Sequence, residues 1–225
     1  WAPPSSSGGP TNKAPIPETL DYERWLGPAP EVPYTFERDS NKWWWHITDY
    51  AVGFIAGWGI HPVDIALWGA AEAMQTPCHI EGKGTYPTEG LCNCAVAWDI
   101  TVTYEGGPTV FYRSAPDASD WKKRFGDDAD HGTAFLGDRG WIQVNRRTIT
   151  ASDDALLKEP LPEKALRLPE SRHHLRNFTE AVRTGAPTIA PIEDAVRADL
   201  FCMACDTALR LQKKLRWDQI GRAHV

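Results

Sequence analysis

His61 and Asp64 are the residues of this chain best suited to acid and base chemistry. They lie in Gly53-Phe54-Ile55-Ala56-Gly57-Trp58-Gly59-Ile60-His61-Pro62-Val63-Asp64-Ile65-Ala66-Leu67-Trp68, a run otherwise made of glycine, proline and apolar side chains. Polar groups rarely enter such a run without a partner or a task. Three residues apart on a helix, the two share a face, while Ala56, Ile60, Val63 and Leu67 supply an apolar stripe for packing. An imidazole exchanges protons near neutrality, so His61 suits a general base; Asp64 suits a residue that orients it or binds a hydroxyl. Residue type alone also allows a core histidine bonded to a carbonyl. The glycines at 53, 57 and 59 let another backbone or a ligand come close. His46, after Trp43-Trp44-Trp45, is a second candidate, and the rings of Trp45 and Trp58 could stack on a sugar or fill a core.

Other signatures are weaker. Gly57-x-Gly59, with Glu81 downstream, imitates a dinucleotide loop, but Pro62 stands where the third glycine would pack a helix on a strand. No Gly-x-Ser-x-Gly elbow occurs. Asp127, Asp128, Asp130 and His131 are spaced as a solvated turn, without the pattern of a calcium loop. Five cysteines lack histidines at zinc spacing, so Cys92 and Cys94 read as one face of a strand, Cys202 and Cys205 as one face of a helix, and all as buried free thiols.

The elements that must position His61 follow from periodicity. A helix is expected from His61 to about Met74, then strands over 78–85, 92–105, 108–114, 131–137, 140–146 and 148–152. Residues 92–104 alternate, with Trp98, Ile100, Val102 and Tyr104 on the apolar face. Glu105-Gly106-Gly107-Pro108 and Gly137-Asp138-Arg139-Gly140 are turns. Two helices follow: 171–184, closed by Gly185, and one after Pro191 with Ala195, Ala198, Phe201, Cys202, Cys205, Ala208 and Leu209 inward. In that last helix Glu193 and Asp194 suit the positive end of the dipole. The fold class is α+β, a large mostly antiparallel sheet with helices packed on one face.

With 225 residues and 42% apolar content, the chain can build one large domain. A net charge of −6 and a pI near 5.6 disfavour nucleic acid as a partner, and the Arg146-Arg147 and Lys213-Lys214 pairs read as solvated edges. No apolar run is long enough to span a bilayer. Residues 1–16 have the composition of a linker, 17–219 form the domain, and 220–225 resemble a translated sequencing adapter. A mixed outer sheet face implies a homo-oligomer.

Taken as a spaced series, these residues resemble the Gfo/Idh/MocA oxidoreductase family. Gly59, His61 and Asp64 match its Asp-x-Gly-x-His-x-x-Asp pattern. Trp25-Leu26-Gly27-Pro28-Ala29-Pro30, Pro33-Tyr34 and Trp43-Trp44-Trp45-His46 match its lead-in. Gly132-Thr133-Ala134-Phe135, Gly140-Trp141-Ile142 and His173-His174-Leu175-Arg176-Asn177-Phe178 match its later signatures. The family's first aspartate falls on Gly57, a departure. The resemblance implies the C-terminal substrate-binding and oligomerisation domain of a cytoplasmic enzyme that oxidises a sugar, inositol or related polyol. NAD or NADP would be held mainly by an N-terminal Rossmann domain, whose motifs do not occur here. It also implies His61 as the acid/base; the candidates for binding substrate beside it are Trp45, His46, Trp58 and Asp64. The alternative is a noncatalytic carbohydrate-binding or scaffold protein of the same fold.

Overall fold

The computed structural model describes residues 8–114, 120–127, 129–165, 167–218 and the backbone of 223–224. The chain divides into two compact units, one formed by 1–60, 73–119 and 202–225, the other by 61–72 and 120–201.

The first unit is built on a five-stranded antiparallel sheet. β1 (Cys78–Thr85) pairs along its full length with β2 (Ala97–Tyr104), which pairs with β3 (Thr109–Arg113). On its other edge β1 pairs with β7 (Leu215–Trp217), which pairs with β8 (Ala223–His224), so the spatial order is β3-β2-β1-β7-β8. Along β2, Trp98, Ile100, Val102 and Tyr104 are buried and Asp99 and Thr103 exposed, which is the expected alternation. Cys202, Cys205, Ala208 and Leu209, on the second half of α7 (Ile192–Leu211), are buried with them. Leu209 lies against the bare α-carbon of Gly84, and the Tyr112 hydroxyl bonds Cys202. The other sheet face is polar and cross-linked: Arg113 pairs with Asp99 at 2.8 Å, Lys214 with Glu81 at 3.0 Å and Arg216 with Glu105 at 3.1 Å. The mixed outer face expected from alternation is therefore mostly charged, with Phe111 its one large exposed apolar residue on β3.

β2 begins at Ala97, later than the expected residue 92, because the backbone before it bonds elsewhere. The amides of Asn93 and Cys94 donate to the His46 carbonyl, and that of Cys92 to Gly8. Cys92 and Cys94 are still buried, with Asn93 exposed between them, but in a loop and not a strand. All five cysteines are free and buried. The segment read as a linker is tied down at residue 8, whose amide donates to Glu89, and at Ala14, whose amide donates to Tyr34.

The lead-in motif forms an aromatic cluster. α1 (Tyr22–Leu26) is capped by Asp21, whose carboxylate accepts from the Arg24 amide, and ends at Gly27 with φ 54°. Tyr22 meets Tyr34 edge-on at 5.2 Å, and Trp25 meets Tyr50 at 4.9 Å. These contacts bury Tyr22, Leu26 and Tyr34.

In the second unit α3 (Ile60–Gly69), which opens in the first unit with Ile60, stops five residues short of Met74. The strands there form a separate three-stranded antiparallel sheet, β4 (Thr133–Gly137), β5 (Gly140–Val144) and β6 (Ile149–Ala151), so the antiparallel strands lie in two sheets and not one. Gly137 and Gly140 close the first hairpin as expected, and the Asn145 carboxamide closes the second by accepting from the amides of Arg147 and Thr148. α4 (Trp121–Phe125) sets Phe125 edge-on to Trp141 at 4.9 Å, and α5 (Ala155–Lys158) is a single turn. α6 (His174–Thr184) ends at Gly185 in the left-handed region, φ 73°. It buries none of its residues, and Leu175, Phe178 and Val182 are exposed along one side. On α7, Ala198 and Phe201 are buried as expected, but Ala195 is exposed.

Candidate active site

α3 carries His61 and Asp64 three residues apart on one turn. Pro62 is accommodated in the first turn, where no amide is required, and its carbonyl accepts a hydrogen bond from the Thr133 hydroxyl at 2.5 Å. Val63 and Leu67 are buried, and the ring of Phe135 occupies the space a side chain at Gly69 would need. The helix is thus pinned to β4 at both ends by residues of the Gly132-Thr133-Ala134-Phe135 signature. Asp64 is half-buried and lines, with Leu67, Trp68, Asp194 and Arg197, a cavity of about 150 Å³.

The electrostatics of the pair are mutually opposed. Partial desolvation, then the Arg146 guanidinium, push the His61 imidazole below its ordinary 6.5, against the pull of Asp64. Desolvation, then Asp194, hold the Asp64 carboxyl above the usual carboxylate value, against His61. His61 is exposed and its neutral form is favoured at neutral pH, the state a general base requires. Sequence reasoning missed Arg146 and Asp194. Arg146 looked like a solvated edge and Asp194 like a dipole partner, and no local signal could tell that each influences a residue far away in the chain.

Trp45, His46 and Trp58 belong to the first unit and so to a different compact body from His61 and Asp64. The single 3-10 turn Trp44–His46 faces α2 (Phe54–Gly57). His46 is 1% exposed and stacked on Phe54 at 5.2 Å, while Trp45 meets Phe54 at 5.1 Å. His46 is therefore packed inside the first unit, and its carbonyl anchors the amides of residues 93 and 94. Trp45 is half-buried, and Trp58 is 40% exposed.

The glycines do not leave open backbone. A Cβ at Gly57 would meet the Trp45 ring at 2.9 Å, and one at Gly53 would meet Cβ of Cys94 at 2.6 Å. At Gly59 it would strike the Tyr112 hydroxyl and lie 2.5 Å from the Ile55 carbonyl. The departure at Gly57 thus has a structural counterpart, since Trp45 fills the space a side chain there would take. The same packing, together with a helix where a strand should precede Gly57, rules out a dinucleotide loop at this glycine pair. The acidic turn is internally paired instead: Asp130 bonds His131 Nδ1 at 2.5 Å and Arg147 at 2.8 Å, which lowers its carboxyl below the usual value; Asp128 lies outside the described residues.

The antiparallel sheets and their helices form a mixed α/β fold of the kind found in oxidoreductase C-terminal domains. The family model described as the oxidoreductase family C-terminal alpha/beta domain, Gfo/Idh/MocA type, matches residues 7–225, and the chain belongs to that family. No curated protein matches. A solved structure of an NAD-binding protein from Listeria innocua is similar over 77% of this chain at 15% identity with a TM-score of 0.46. The chain spans 54% of that protein's length. No helix among the described residues is long and apolar enough to cross a membrane.

Proposed function

We propose that this domain supplies the substrate site and acid/base of an NAD(P)-dependent oxidoreductase that acts on a sugar, inositol or related polyol by hydride transfer. The observation that carries the reading is the His61–Asp64 pair. An exposed imidazole is kept neutral near pH 7, one helical turn from a carboxyl that opposes that shift and lines a cavity. Oxidation of a secondary alcohol requires the hydroxyl proton to leave as hydride leaves the same carbon, and His61 would accept that proton at a ring nitrogen. Asp64 would stabilise the imidazolium so formed, since its charge raises the His61 pKa. The nicotinamide supplies the hydride acceptor when bound. The Gly57–Gly59 turn does not fit a dinucleotide, because it is filled by Trp45 and Tyr112, so the cofactor would be held mainly outside these residues.

The test is the full-length protein with His61→Ala, assayed for turnover of polyols and for thermal stability. A positioned general base is worth about 10²–10⁴ in rate, so kcat should fall by that range while the melting temperature stays near that of the parent. Unchanged kcat would return His61 to a structural role and leave the acid/base unassigned, whereas no turnover of any polyol by the parent protein would favour a noncatalytic carbohydrate-binding protein of this fold.

A further inference from the structure

A second cavity, of about 320 Å³, lies wholly within the first unit beside the aromatic lead-in and uses none of the residues assigned above. It is at the lower end of the roughly 300–1,000 Å³ typical of small-molecule sites. Its lining includes Lys13, Thr35, Arg38, Ile47, Asp49 and Asn93. Thr35 is 3% exposed, and its hydroxyl is buried with no hydrogen-bond partner among the described residues. Arg38 is already oriented. Its Nε donates to the Pro33 carbonyl at 3.2 Å and its Nη1 to the Tyr50 hydroxyl at 3.1 Å, which leaves Nη2 uncommitted among the described residues. Neither Arg38 nor Lys13 has a carboxylate in ion-pair range among those residues. Asn93 spends its carboxamide oxygen on the Thr48 amide at 2.8 Å, so the amide nitrogen is the end left for another partner.

We propose that this cavity binds a small polyhydroxylated carboxylate. Two cations against one acid leave a net charge of +1, which suits a monoanion, and a planar guanidinium set in place by two oxygen acceptors suits a carboxylate. A dianionic phosphate would meet Asp49 with one charge uncompensated. Hydroxyl groups on the ligand satisfy the rest: the Asp49 carboxylate accepts from one and the Asn93 amide donates to another. Ile47 provides the apolar floor. The inference is independent of the role given to His61.

Calorimetric titration of the intact protein with sodium D-gluconate, D-glucose and inorganic phosphate tests this, with amide chemical shifts to locate binding. Gluconate should bind and move the signals of Thr35, Arg38 and Asn93, and glucose and phosphate should bind at least about tenfold more weakly. Lys13→Ala, at an exposed residue with no ion-pair partner among the described residues, should weaken gluconate by about tenfold. Arg38→Lys, which keeps the charge but loses the planar fork, should weaken it severalfold. Absence of gluconate binding, equal binding of glucose or phosphate, or affinity indifferent to both substitutions would each overturn the proposal.

Discussion

The Tyr112 hydroxyl donates to the Ile55 carbonyl across the α-carbon of Gly59, joining β3 to the residues that lead into α3. Burial and the neighbouring thiols of Cys202 and Cys205 hold the phenol far above its ordinary 10, so it remains a donor at every physiological pH. Gly59, two residues before His61, is therefore required by packing. Gly59→Ala should destabilise by about 1–3 kcal/mol, the usual cost of forcing an extra methyl into a filled space. Tyr112→Phe removes the atom the methyl strikes, so the double variant should lose less than the two single losses combined. Urea denaturation of the four proteins measures the coupling.

Restoring an aspartate at position 57 should not restore a family feature. The Trp45 ring lies 2.9 Å from where its Cβ would be, so Gly57→Asp should also cost about 1–3 kcal/mol. Pairing it with Trp45→Ala should recover part of the loss. A Gly57→Asp protein as stable as the parent, by thermal melting, would show that Trp45 can move aside freely.

The His61 titration has signs that can be read by NMR. Its midpoint should lie below 6.5; Asp64→Asn, which removes the interaction that raises it, should lower it further, and Arg146→Gln should raise it. Folded protein binds fewer protons at His61 than unfolded chain does, so the contribution of this residue to stability is intact above 6.5 and is lost as pH falls through the folded-state value. The raised Asp64 carboxyl acts in the opposite sense. Its contribution is present below the ordinary 3.8 and is lost as pH rises through the elevated folded-state value. His61→Gln should accordingly flatten the fall in stability on mild acidification.

Burial pushes the thiols of Cys78 and Cys92 up to about 11 and that of Cys94 up to about 12, with Cys205 also raised. Thiolate is the reactive form, so iodoacetamide at pH 8 should leave the native protein unmodified over the time in which it labels all five cysteines in guanidinium. Mass spectrometry reads both states. Rapid labelling of a single native cysteine would show that its surroundings open.

Asp206, 4% exposed, receives the Arg210 guanidinium at 2.6 Å on the next turn of α7, and Arg210 also bonds the Asn93 carbonyl and lies over the Tyr86 ring. The pair ties the last helix to the loop before β2. Asp206→Ala leaves the guanidinium without its acceptor and should cost about 1–3 kcal/mol in chemical denaturation.

Features set by local spacing were legible in the chain. The limits of β1, the hairpin at Gly137–Gly140, the end of α6 at Gly185 and the inward face of α7 from Ala198 to Leu209 follow from period and turn chemistry, which act within a few residues. So did the pairing of His61 with Asp64 on one helical turn, and the family to which the spaced motifs point. Partners distant in sequence were decided by packing. Arg146 and Asp194 add to desolvation in shifting the proton affinity of the pair; Trp45, Cys94 and Tyr112 fill the space above three glycines that looked open; the Gly8 and His46 carbonyls hold Cys92 and Cys94 off the sheet; and the strands divide between two sheets. A glycine states only that space is available, and a charge only that a field exists. Which atom enters the space, and which residue feels the field, depends on groups far apart in the chain, 130 residues in the case of Asp64 and Asp194, and these meet only once the chain has folded.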